Sequence, residues 1–302
     1  MDRNTAAVFI MLGQSNATGH ALPMRKEDVI GTPLAHVFGL RRDPNQSFDT
    51  DRLVWSGWTS ADTNLGETQD NTYSVPNCLA AAWESAVDAG ADLPDLYIVH
   101  ISIGAQGVTS RYMWHPDYKR VLVPGPLGIA DVALTPLTVH VLSLLKDSFD
   151  RMGKQMRVIG LHWRGGEEDI ELPVEALEPV LTGVYEAILP AFRSAVGTDC
   201  PIILHRVVCF ERADDLDPTG EFRRSTYYVD RVFDDLAARL PDCTVFDPRS
   251  APFYDPAPPI HGIFEDDHVH FTERLNKWVA EIILRDAAAG VRFPSRETFR
   301  EP

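Results

Sequence analysis

Five short apolar runs rich in β-branched residues recur along this chain: Ala6–Leu12, Leu96–Ile103, Met156–Trp163, Ile202–Cys209 and Thr244–Asp247. None alternates apolar with polar residues, so each reads as a strand buried on both faces, as in a parallel sheet. Between the runs, apolar residues fall at helical spacing. Val75–Ala89 follows a Ser/Pro start, Leu134–Met152 carries Leu137, Val141, Leu144 and Leu145, and Val174–Val196 and Thr226–Leu240 keep the same period. A last helix, Thr272–Ala289, opens on a threonine and stops at Gly290. Strand alternating with helix predicts an α/β fold with an open, doubly wound sheet.

Two segments interrupt the alternation: residues 18–74, with Trp55, Trp58 and many Asp, Asn and Thr, and the Pro-rich run 251–260. A connection as long as the first is usually functional or an insertion with structure of its own. No repeat or low-complexity linker marks a boundary, so residues 1–302 read as a single domain with an insertion at about 18–74. A chain this long buries roughly three quarters of its unfolded surface and needs neither metal nor disulfides for stability. The four cysteines, at 78, 200, 209 and 243, form no CxxC and read as buried thiols.

Charge narrows the partners. Lys and Arg total 28 against 44 Asp and Glu, a formal net charge of −16. Such a surface repels phosphate backbones and anionic lipid, and the basic pairs Arg41/Arg42 and Arg223/Arg224 are too short to make a stripe. Neither nucleic acid nor membrane is an expected partner. The apolar segment Ala6–Leu12 is too short to span a bilayer and leads into a polar loop, not a cleavage site. The chain as written reads as cytoplasmic, or as secreted or periplasmic if a signal peptide has been removed; its oligomeric state is open.

In an open parallel sheet, ligands bind outside the carboxyl ends of the strands. After the first run comes Gly13-Gln14-Ser15-Asn16, a serine at a sharp strand-to-helix exit with a second glycine at 19. A hydroxyl there suits a nucleophile whose oxyanion meets backbone amides; a helix N-cap is the other reading. Just before the last helix stands Asp266-Asp267-His268-Val269-His270. Asp267-x-x-His270 can set a carboxylate beside an imidazole, fixing its tautomer and making it a base for a serine. A metal site from His268, His270 and the two aspartates, or a merely structural His270, is the rival.

Gly13-Gln14-Ser15-Asn16, Gly104 after the second run, Trp163-x-Gly165-Gly166-Glu167-x-Asp169 after the third, and Asp267-x-x-His270 follow the order of the blocks of the SGNH (GDSL-like) hydrolases. The sequence resembles their sialate O-acetylesterase and acetylxylan esterase branch, carbohydrate esterase family 6, from residue 8 to about 285. The resemblance implies a three-layer α/β/α sandwich on a flavodoxin-like five-stranded parallel sheet. It also implies removal of acetyl groups from a small-molecule or polysaccharide ester without metal or cofactor. Residue by residue, it makes Ser15 the nucleophile, His270 the base and Asp267 its orienting acid, with the amides of Ser15 and Gly104 in the oxyanion hole.

The chain departs from the pattern where that branch carries a glutamine amide to complete the hole: here stands Gly165. Ala105-Gln106 replaces the common Gly-Thr, and Leu275 stands where the family usually has glycine. Losing one oxyanion donor costs roughly 10²–10³ in rate, so Gln106 is expected to supply the missing one. Arg164, Glu167 and Trp114 are the expected substrate contacts. For Arg164 the alternative is a salt bridge to Glu167 or Glu168; for Trp114, Trp55 and Trp58 it is packing, and for Glu167 and Asp169 bracing of the third turn. A carbohydrate-binding pseudoenzyme and a general short-chain esterase or acyltransferase are the alternative functions.

Overall fold

The computed structural model describes residues 4–19, 29–40, 53–59, 64–65, 73–119, 132–171, 174–208, 221–256 and 262–295. The predicted runs become β1 (Thr5–Gly13), β4 (Asp95–Ser102), β5 (Gln155–Arg164), β6 (Ile202–His205) and β7 (Cys243–Phe246). Two further strands, β2 (Val37–Leu40) and β3 (Trp55–Gly57), come from the long insertion. Among the described residues the sheet therefore has seven strands where five were expected, in the order β3-β2-β4-β1-β5-β6-β7. The five expected strands are contiguous within it and parallel, and β2 joins β4 in parallel. Only the edge pair β2–β3 is antiparallel among the described pairs.

The continuous apolar character has its cause here: Ala6 to Gly13 is buried without a break because helices cover both faces of β1. The helices are α1 (Ser15–Thr18), α2 (Val75–Asp88), α3 (Leu134–Arg151), α4 (Val174–Val196), α5 (Glu221–Arg239) and α6 (Glu273–Ala289). α2 packs on α6, while α4 packs on both α3 and α5, so the helices form two layers. α6 starts where Thr272 Oγ1 accepts a bond from Leu275 N, and ends at Gly290 in the left-handed conformation.

Chain order reverses at β1, which has β4 on one side and β5 on the other. Such a switch point leaves a crevice at the carboxyl ends, and the segments after β1, β4 and β5 carry Ser15, Gly104 and Gly165. Cys78, Cys200 and Cys243 are buried free thiols, and burial pushes each well up, Cys78 to about 12. Cys209, Arg41 and Arg42 lie outside the described residues, as does most of the 18–74 insertion. Among the described residues no helix is long and apolar enough to cross a membrane.

Candidate active site

The serine turn is set by close approach of two strands. Gly13 has φ +142°, and a Cβ there would lie 1.9 Å from Arg164 O, so no side chain fits. The next amide, Gln14 N, donates to Arg164 O at 3.0 Å, and the chain enters the single turn of α1. Ser15 opens that turn, where backbone amides lack intrahelical partners, and Gly19 closes it with φ +96°. Ser15 is 7% exposed. Gln14, not Ser15, occupies the N-cap position. The capping alternative therefore does not describe the serine.

His270 arrives from the opposite end of the chain. Its Nδ1 lies 2.6 Å from Asp267 Oδ2, while Asp267 Oδ1 accepts from Val269 N and His270 N, both at 2.9 Å. Partial burial works to raise the Asp267 carboxyl, but these bonds, led by that from His270 N, outweigh it and hold the group below its usual range. Asp267 therefore stays ionised and takes the Nδ1 side of the ring, leaving Nε2 as the nitrogen to meet a hydroxyl. Asn16, the residue after the serine, accepts from Phe271 N at 2.8 Å and donates to Val269 O at 3.1 Å. Ser15 and His270 are thus drawn together through their chain neighbours. Among the described residues no three His, Cys, Asp or Glu side chains are grouped to hold a metal ion.

The segment after β4 is braced from two sides. Thr18 Oγ1 donates to Ser102 Oγ at 2.9 Å, and Trp114 Nε1 donates to Gly13 O at 3.0 Å. Asp169 Oδ1 accepts from Val108 N at 2.9 Å and Thr109 N at 3.3 Å. Gly107 allows this approach, since a Cβ there would sit 2.3 Å from Asp169 Oδ1. Burial pushes the Asp169 carboxyl up to about 7 against the pull of those two amides. Gly104 begins the turn, and Ala105 follows with φ +56°, the left-handed region that favours glycine. Gln106 Oε1 accepts from Met113 N at 3.1 Å, which ties down the carbonyl end and leaves the NH₂ end to donate.

Gly165 is not a strained position. A Cβ there would have only ordinary contacts, 3.4 Å from Gln14 Cγ and 3.6 Å from Gln14 N and Trp163 Nε1. Gly166 is the residue that cannot change, with φ +134° and Val207 and Val229 methyls 2.9 Å from a Cβ.

The three expected substrate contacts sit in the interior instead. Trp114 is fully buried, edge-on to Trp163 with ring centroids 4.9 Å apart. Arg164 is 1% exposed; its Nη1 donates to Asn16 O at 3.2 Å and Asn276 Oδ1 at 2.5 Å, and its guanidinium lies 4.6 Å over the Phe271 ring. Burial pulls Arg164 down to about 10, with the Glu167 carboxylate opposing. Glu167, also buried, accepts from Asn16 Nδ2 at 2.6 Å, so it braces the serine turn. Burial raises its carboxyl, partly offset by that bond. Trp114 and Arg164 present no face to solvent, while Glu167 keeps 7% exposure, as much as Ser15. Trp58 is fully buried, and Trp55 packs edge-on to Tyr97, centroids 5.0 Å apart. Packing accounts for both.

Comparisons with known proteins place the fold. No protein-family model matches the chain, and no curated protein matches it in sequence. Among solved structures it is similar to NanS, at 15% identity and a TM-score of 0.57 over 95% of this chain and 98% of that one. A carbohydrate acetylesterase from Xanthomonas citri aligns at 16% identity, TM-score 0.46, over 94% of this chain and 56% of that one. An acetyl xylan esterase variant from Geobacillus stearothermophilus aligns at 12% identity, TM-score 0.44, over 96% and 97%. The α/β fold with its mostly parallel sheet is shared with NanS over nearly the whole of both chains.

Proposed function

We propose that this chain is a serine esterase that removes O-acetyl groups from a carbohydrate, as a small molecule or a polysaccharide. The observation that carries the reading is the chain of contacts from Asp267 through His270 to the Ser15 turn: 2.6 Å from carboxylate to Nδ1, with Asn16 bonded on both sides of the histidine. Ser15 Oγ attacks the acetyl carbonyl while His270 Nε2 takes its proton, and the Asp267 carboxylate stabilises the imidazolium. The amides of Ser15 and Gly104 and the side-chain amide of Gln106 receive the oxyanion. The imidazolium then protonates the sugar oxygen as its bond to the acetyl carbon breaks, leaving acetyl on Ser15 Oγ. A water activated by the same base releases acetate and restores the serine. The burial of Arg164 against Asn16, Asn276 and Phe271 supports a structural role for its guanidinium.

One observation favours a second reading. Gly165 brings no side-chain amide to the oxyanion hole, and without a substitute the same fold would bind acetylated sugar and turn it over poorly. Hydrolysis of 4-nitrophenyl acetate separates the two. An esterase loses turnover in Ser15→Ala and His270→Ala and keeps it in EDTA; equal background in the wild type and Ser15→Ala supports the binder.

A further inference from the structure

Asn16 lies beside the nucleophile, and its side-chain amide donates twice and accepts once. We propose that Asn16 is the positioning residue that holds the base His270 against Ser15; the inference rests on the serine-esterase reading above. The residue is 3% exposed. Its Oδ1 accepts from Phe271 N at 2.8 Å, and its Nδ2 donates to Val269 O at 3.1 Å and to Glu167 Oε1 at 2.6 Å. The two backbone bonds fall on the residues immediately before and after His270, so the Cα of the histidine is held from both sides. Since Asn16 is covalently joined to Ser15, one side chain sets the spacing between nucleophile and base.

The anchor extends into the buried structure behind it. Asn16 O accepts from Arg164 Nη1, the same nitrogen reaches Asn276 in α6, and the guanidinium lies over Phe271. The serine turn, the end of β5 and the segment before α6 therefore meet at one residue. The site offers it one donor, the Phe271 N–H, and two acceptors, Val269 O and the Glu167 carboxylate. Of the side chains this size, only an amide accepts once and donates twice. An ionised carboxylate would keep the Phe271 bond and turn an oxygen toward two acceptors; an alanine would leave all three groups unmet.

Asn16→Asp tests this with little change of volume. The introduced carboxyl would lie against the Glu167 carboxylate, and ionised or protonated it donates at most once where the asparagine donates twice. The kcat on 4-nitrophenyl acetate is expected to fall about 10²-fold with KM within about twofold, the scale of a misplaced catalytic group. A purely structural role would lower the melting temperature and leave kcat of the folded variant at the wild-type value. Wild-type kcat, or a loss that only follows unfolding, overturns the proposal. Hydrogen exchange on the wild-type protein needs no variant to fold: the Phe271 amide should be protected, and exchange at the unprotected rate also overturns it. Ser15→Ala and His270→Ala run alongside. If both keep full turnover, the esterase reading falls and takes this inference with it; if both lose turnover and Asn16→Asp does not, only this inference falls.

Discussion

Replacing Asp267 by asparagine separates the orientation of the histidine from the folding of the turn that carries it. Asp267 Oδ1 receives two backbone amides at 2.9 Å, and an asparagine carbonyl accepts them equally well. Oδ2 faces His270 Nδ1 at 2.6 Å, and there the asparagine places an NH₂. Two donors cannot face each other, so the ring moves its proton to Nε2, the nitrogen that the proposed mechanism needs to accept from Ser15. The expected loss is about 10⁴-fold in kcat, roughly 5 kcal/mol of transition-state stabilisation. The fold should barely notice: the Asp267 side chain is 41% exposed, the turn keeps its two amide bonds, and a partly solvated pair contributes under about 1 kcal/mol. Kinetics with 4-nitrophenyl acetate and a thermal melt on the same preparation read both quantities. Asp267→Asn within tenfold of wild-type kcat would refute the orientation of His270 by Asp267, and so would a loss that merely follows unfolding.

Gln106→Ala should lower kcat roughly 10²-fold and leave KM nearly unchanged, since an oxyanion contact strengthens mainly in the transition state; a fully active variant would remove Gln106 from the hole. Ala105→Gly relieves a left-handed residue, φ +56°, and should raise stability by about 1 kcal/mol in urea unfolding; a destabilised variant would contradict that strain. Acid stability has opposing contributions. Burial pulls His100 down to about 4 and His162 to about 3, and lowers His205, so between pH 6.5 and those values the unfolded chain binds more protons and stability falls with acid. Asp169 and Asp230, pushed by burial up to about 7, act oppositely: their stabilisation is full below about pH 4 and is lost as pH rises through 7. Asp169→Asn removes one of these offsets, so unfolding free energies at pH 7, 6 and 5 should decline more steeply than wild type by about 1.4 kcal/mol per unit; an unchanged slope would contradict a proton held on Asp169.

The core of the fold was legible because its determinants are local. Runs buried on both faces announced β1, β4 and β5, and α4 spans the predicted 174–196. Thr272 and Gly290 bound α6 by capping chemistry that acts within a few residues. β2 and β3 were missed because four and three residues are too few to show a period; the apolar run Val37–Leu40 was the available signal. Asp267-x-x-His270 was readable from its spacing, whereas Arg164 was not. Its burial depends on Asn276 and Phe271, more than a hundred residues away and brought close only by the packing of α6. Trp114 was misplaced for the same reason, its partner being the Gly13 carbonyl across the sheet end. Asn16 carried a signal in its place next to the serine, but its role needed the return of residues 269–271.

The most direct test of the central reading is covalent labelling with a fluorophosphonate, mapped by mass spectrometry. Attack by an activated serine should leave a single adduct on the peptide containing Ser15, absent in Ser15→Ala and strongly slowed in His270→Ala. An adduct on another residue, or undiminished ester hydrolysis by Ser15→Ala, would contradict it.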